Sequence, residues 1–274
     1  MSLFITSLNS GSNGNCYYIG NISEAVLIDV GISCRETEKR MKRLGLSMEK
    51  VKAIFISHEH SDHIKGVEVL SKKHKLPVYI TNDTLNNSGL KLQEELVFSF
   101  KGYDAIQIGN LYVTPFPKRH DASDPYSFIV EGNDVKIGIL TDIGSSCEHV
   151  IQNFKQCHAA FLEANYDANM LENGRYPYYL KKRISGDHGH LSNDQALELF
   201  TKHKPPFMSQ LLLSHLSRDN NDPLLVYELF MKHAGNTNIS VASRYEETPV
   251  YEIIADPASH TSRSRKKAEQ MSLF

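Results

Sequence analysis

A chain of 274 residues with 41% hydrophobic and 23% charged residues carries enough apolar surface to bury a core, which excludes a disordered or fibrous protein and fits one large domain or two small ones. Its net charge of -2 excludes a protein that coats its whole surface with a polyanion, but leaves room for a local basic patch or bound cations. No apolar run approaches the roughly 20 residues of a bilayer span. The start lacks a basic segment with a cleavage site, and Cys16, Cys34, Cys147 and Cys157 form no C-x-x-C pair, so a cytoplasmic protein is expected.

In chain order, residues 3–8, 16–20 and 25–30 read as short strands separated by turn-rich segments. The first separator, residues 8–15, is rich in Gly and Asn. It reads as a hairpin loop, with a nest of backbone N–H groups for a phosphate as the alternative. Ser33 caps a helix with Cys34, Thr37, Met41 and Leu44 on one face and Gly45 at its end. A buried strand over residues 53–56 then runs into His58, His60, Asp62 and His63.

Three imidazoles and a carboxylate at H-x-H-x-D-H spacing behind a strand end form a metal-ligand pattern. A loop there can turn His58 and His60 one way and Asp62 and His63 another, which makes two adjacent sites. Without thiolates the set suits Zn(II), Mn(II) or Fe(II) and leaves positions open for water, in the style of a catalytic centre. Glu59 sits between ligands whose directions are already taken.

Residues 64–75 read as a helix, 78–81 as a strand and 97–113 as further strands. The apolar run 135–140 stops at Asp142 and Gly144, repeating the device by which residues 27–31 end in Asp29 and Gly31. Asp142 is therefore a candidate bridging ligand. The run 210–213 stops at His215, the candidate last ligand of the second ion. Another strand ends at Glu163, and Ser192 or Asn193 caps a helix that continues through Leu199. Residues 176–183 interleave Tyr with Lys and Arg; they read either as a surface that stacks bases and neutralises phosphates or as a helix with its tyrosines packed inward. Beyond residue 255 the chain turns polar and basic, so residues 1–255 are expected to form the folded domain and 256–274 a flexible tail.

The spacing His58-x-His60-x-Asp62-His63 after a strand resembles the signature of the metallo-β-lactamase superfamily. The resemblance implies an α/β fold, an αββα sandwich, with two divalent metal ions, Zn(II) or Mn(II), at one sheet edge. It also implies that His58, His60 and His120 hold one ion, Asp62, His63 and His215 the other, with Asp142 shared and Asp29 supporting the metal loop from behind. Residues 163–167 and 186–193 resemble a pairing in ribonuclease Z-like enzymes, which implies that Glu163 orients His190 and that His190 protonates the leaving oxygen of a phosphodiester. Asp62 would help to position the attacking hydroxide.

Residues 10–15 and 215–221 add to a similarity with the YycJ-like branch, small members without the inserted β-CASP domain, associated with 5′ to 3′ exonuclease action on DNA in replication or repair. Tyr166 stands where a histidine is expected in many relatives. The final residues Gln270, Met271, Ser272, Leu273 and Phe274 resemble the clamp-binding peptide of bacterial DNA polymerases and repair proteins, which implies a sliding clamp as partner. Two other classes stay open. One is a thioester, lactone or lactam hydrolase using the same metals, and the other a non-catalytic, clamp-bound adaptor with structural metals.

Overall fold

The computed structural model describes residues 2–255; the basic tail and its terminal clamp-like peptide lie outside them. Fourteen strands among the described residues build two seven-stranded sheets. The first sheet takes β1 (Ser2–Asn9), β2 (Cys16–Gly20), β3 (Ala25–Ile28), β4 (Val51–Phe55), β5 (Val78–Tyr79) and β6 (Val97–Phe98). The second takes β7 (Ile106–Ile108), β8 (Leu111–Pro117), β9 (Tyr126–Gly132), β10 (Val135–Leu140), β11 (Ala159–Glu163), β12 (Gln210–Ser214) and β13 (Asn238–Val241). Then β14 (Tyr251–Ile254) returns to pair antiparallel with β1 at the edge of the first sheet.

Both sheets are mixed. β3, β4, β5 and β6 run parallel, as do β10, β11, β12 and β13, while β8, β9 and β10 form an antiparallel meander. Parallel strands need crossovers, and helices supply them. The helices are α1 (Cys34–Arg43), α2 (Ser61–Ile64), α3 (Val67–His74), α4 (Asn82–Ser88), α5 (Glu148–Phe154), α6 (Ala168–Asn173), α7 (Tyr178–Ser185), α8 (Asn193–His203) and α9 (Pro223–Met231).

Three apolar layers result. Alternate residues of facing strands meet between the sheets: Leu3, Ile5, Val26, Ile28, Ala53 and Phe55 pack against Val113, Phe128, Ile137, Ile139, Phe161 and Leu212. The other face of the first sheet, Ala25, Leu27 and Ile54, packs with Met41, Val67 and Leu70 of α1 and α3. The other face of the second sheet, Leu140, Leu162 and Leu213, packs with Phe154, Phe200 and Phe230 of α5, α8 and α9. Strands buried on both faces read as unbroken apolar runs, and that is why the sequence shows them. The order helix, sheet, sheet, helix is the expected αββα sandwich, and the described residues contain no inserted domain.

Four expectations are revised. The helix expected over 64–75 is broken into α2 and α3, because a Cβ on Gly66 would stand 2.0 Å from the carbonyl oxygen of Ile32. Gly66 instead donates its N–H to Val30. The strand expected over 78–81 stops at Tyr79, because the Thr81 side chain caps α4. The strand expected over 25–30 stops at Ile28, where Asp29 turns into a left-handed conformation. Finally, the tyrosines of α7 do not pack inward: Tyr178 and Tyr179 are 74% and 75% exposed.

Candidate metal centre

Most of the side chains that carry chemistry follow the carboxyl ends of strands. Asp29 follows β3, His58 follows β4, His120 follows β8, Asp142 follows β10, Glu163 ends β11 and His215 follows β12. Open parallel sheets place ligands in the crevice at that end. Asp29, Asp142 and His215 adopt φ of 59°, 55° and 56°. The left-handed region costs a non-glycine residue roughly 1–3 kcal/mol, so three such residues at one edge store strain there. The conformation reverses the chain at once and leaves each side chain over the sheet edge.

His58 Nε2 lies 3.1 Å from His60 Nδ1, which lies 3.4 Å from His120 Nε2. Beside this group, His63 Nε2 lies 3.2 Å from Asp142 Oδ2 and 3.6 Å from Asp62 Oδ2, and His215 Nε2 lies 3.5 Å from Asp62 Oδ2 and 3.5 Å from Asp142 Oδ1. Asp142 Oδ1 reaches toward the first group as well, 3.9 Å from His120 Nε2. The structure thus brings all seven expected side chains together, as two groups with Asp142 between them.

The hydrogen bonds behind the imidazoles set their tautomers. His63 Nδ1 donates to Asp29 Oδ2 at 2.7 Å, His120 Nδ1 to the Gly189 carbonyl at 3.1 Å, and His215 Nδ1 to Glu163 Oε1 at 3.0 Å. Ser57 gives its hydroxyl proton to Asp29, so its oxygen accepts from His58 Nδ1 at 2.9 Å. Four imidazoles therefore turn Nε2 inward, toward one another and toward carboxylates. Facing lone pairs repel unless a proton or a cation lies among them. Asp142 Oδ2, buried, faces only the His63 ring, 3.2 Å away, and makes no well-formed hydrogen bond among the described residues. A buried set of converging nitrogen and carboxylate donors with no thiolate among them fits divalent cations.

The electrostatics separate the two groups. Burial, with His63 and Lys118 nearby, holds His58 well below the usual imidazole range, and burial takes His120 down to about 3. These two rings are neutral and ready to ligate. Burial also opposes charge on His63 and His215, but the surrounding carboxylates outweigh it, raising His63 well above its ordinary value and His215 to about 10. In the metal-free protein protons thus sit on the second group, on His63 and His215, while the first group stays neutral. Loading is expected to displace them, so metal affinity rises as pH is raised from neutral. Calorimetry in buffers of different ionisation enthalpy is expected to show roughly two protons released at neutral pH; loading without proton release would contradict it.

Three residues that hold the centre were not legible as such. The Asn15 amide donates to Asp62 Oδ2 at 3.2 Å, Ser57 bridges Asp29 and His58, and the Asn165 amide donates to the His215 carbonyl at 2.8 Å. Residues 10–15 serve as scaffold: the N–H groups of Ser10, Gly11, Gly14 and Asn15 go to Ser243, Asn15, Gly11 and Asp62. Glu59 points away, accepting from Ser123. Gly31 is required at its place, since a Cβ there would lie 1.6 Å from the Asp62 carbonyl oxygen. Gly31→Ala is expected to lower stability by roughly 1–3 kcal/mol and to weaken metal binding, read by thermal denaturation and metal titration; an unaltered melting temperature and affinity would count against this placement.

Next to the seven, His190 Nδ1 donates to Glu163 Oε1 at 2.8 Å. Glu163, fully buried, also accepts from the backbone N–H of Ile143 and Leu191. Burial disfavours its charge, but His190 and His215 outweigh that and hold it down at about 2. His190 is partly exposed and lines a cavity of about 350 Å³ together with Asp62, Asp142 and His215, walled on one side by Tyr176, Leu180 and Arg183 of the α7 region. Tyr166 does not line this cavity; it is buried and pairs through its backbone with Ser192 and Asn193.

Residues 24–216 match the family model described as the beta-lactamase superfamily domain. The chain is 35% identical to exodeoxyribonuclease YycJ of Bacillus anthracis over 226 residues, 81% of this chain and 85% of that protein. It is 29% identical to exodeoxyribonuclease WalJ of Streptococcus pneumoniae over 257 residues, 92% and 94% of the two chains. Among solved structures, the metallo-beta-lactamase fold protein YhfI from Bacillus subtilis superposes with a TM-score of 0.69 at 16% identity, covering 92% of this chain and 100% of that one. The chain belongs to the metallo-β-lactamase superfamily, in the branch of metal-dependent hydrolases that holds YycJ and WalJ.

Proposed function

We propose that the protein is a DNA exonuclease acting in the 5′ to 3′ direction in replication or repair. Its likeness to two proteins named exodeoxyribonucleases supports the substrate class. The observation that carries the reaction type is the Glu163–His190 pair, a proton donor held beside the seven-ligand group in one cavity. In this reading His58, His60 and His120 hold one Zn(II) or Mn(II), Asp62, His63 and His215 the second, and Asp142 belongs to both. Divalent ions bound there supply Lewis acidity, acidifying water and drawing charge from phosphoryl oxygens.

The chain's own groups do the rest. Asp62 opens on the cavity and orients the attacking water. Glu163 stays ionised and fixes the His190 ring through Nδ1, which leaves Nε2 as the atom that passes a proton to the departing oxygen. An unprotonated alkoxide leaves poorly, so a phosphodiesterase needs such an acid, whereas a thiolate departs without one. Metal-loaded protein with 5′-labelled duplex DNA is expected to release labelled nucleotides, whereas hydrolysis of thioesters or lactams with the DNA left intact would favour the competing hydrolase. The site of action is the cytoplasm, in keeping with four free cysteines.

The terminal peptide, residues 270–274, extends the proposal to a sliding clamp. Its removal is expected to abolish capture by an immobilised clamp while nuclease turnover persists; unchanged capture would reject the docking.

A further inference from the structure

A second cavity, of about 200 Å³, opens beside the first, and Ser217 belongs to the wall of both. Its floor is apolar, with Leu216, Pro223 and Val241, and its rim carries Arg218, Arg244 and Tyr245. Arg244 is the unusual member. Its Nη1 is enclosed yet has no hydrogen-bond partner among the described residues. Its Nη2 makes one long contact, 3.4 Å to Asn13 Oδ1. A guanidinium nitrogen withdrawn from solvent without an acceptor is costly, and a planar anion or phosphate is the partner it fits.

The segment that presents these groups is firmly placed. Arg40, buried, donates from Nη1 to the Leu8 carbonyl at 2.7 Å and from Nη2 to the Tyr245 carbonyl at 2.9 Å. Ser10 donates its N–H to Ser243, and the Asn13 amide donates to the Arg244 carbonyl at 2.9 Å. The loop that holds Asp62 through Asn15 therefore also holds Arg244. Meanwhile the Tyr245 side chain is 74% exposed over a fixed backbone, a ring free to stack.

We propose that this second cavity is a nucleotide subsite, which takes the DNA residue adjacent to the scissile phosphate: Arg244, with Arg218, binds its phosphate, and Tyr245 with the apolar floor receives its base. The strand passes from the metal centre across Ser217 into this groove. The subsite rests on the nuclease reading above and adds the path of the substrate. Stacking and phosphate contacts of this kind tolerate any base, as an exonuclease requires.

The test compares a short single-stranded oligodeoxynucleotide with bis(4-nitrophenyl) phosphate, a diester without a neighbouring nucleotide, using the full chain loaded with Mn(II). Arg244→Met and, separately, Tyr245→Ala are expected to raise KM for the oligonucleotide about tenfold relative to KM for the small diester. Arg244→Met is also expected to reduce the salt dependence of oligonucleotide binding by about one counterion. Arg244→Lys and Tyr245→Phe are expected to retain most of the binding, which a merely structural role would not predict for both. Equal KM ratios in parent and variants overturn the subsite. A parent protein that hydrolyses the small diester but leaves DNA untouched removes the nuclease reading itself, and the subsite with it.

Discussion

Asp142→Ala is expected to leave the sandwich assembled and to lower phosphodiester turnover by on the order of 10³-fold or more. Asp142 is a carboxylate that faces both groups of imidazoles: its Oδ2 is 3.2 Å from His63, and its Oδ1 is 3.5 Å from His215 and 3.9 Å from His120. Without it the second group keeps one carboxylate, Asp62, for two rings. Metal content should fall below two ions per chain, and elemental analysis of the purified variant beside steady-state kinetics reads both effects. Two tightly held ions with parental turnover would contradict the bridging role.

His190→Ala is expected to lower kcat on DNA by roughly 10²- to 10⁴-fold, the range for a positioned proton donor. The distinguishing feature is the leaving group. On bis(4-nitrophenyl) phosphate the variant should lose far less, because nitrophenolate departs without a proton. Metal content should hold, since His190 spends Nδ1 on Glu163 and lies outside the seven. However, His190 also stands within ligating distance of Asp142, Glu163 and His215. Loss of an ion in the variant, with equal losses on both substrates, would make it a ligand.

The parts of the site that the sequence revealed share a physical reason. His58, His60, Asp62 and His63 are too dense in ligand atoms for an ordinary loop, and Asp29, Asp142, Glu163 and His215 each end an apolar run buried on both faces. A polar group at the end of such a run has to lie at the sheet edge. Asn15, Ser57 and Asn165 were hidden because Asn and Ser are what turns use anyway; only the hydrogen bonds to Asp62, His58 and His215 distinguish them. The break at Gly66 depends on Ile32, a contact distant in sequence. α4 was hidden for another reason: Asn82–Ser88 offers a single apolar side chain, Leu85, so capping by Thr81 and tertiary packing hold it. Arg244 and Tyr245 carried no pattern at all, and only the enclosed guanidinium nitrogen singles them out.

The central claim is that seven side chains from separate strand ends hold two cations in one site. Anomalous diffraction from crystals of the Mn(II)- or Zn(II)-loaded protein tests it most directly. Two peaks are expected, one among His58, His60 and His120 and one among Asp62, His63 and His215, with Asp142 touching both. A single peak, or ions bound elsewhere while these side chains keep their protons, would contradict it.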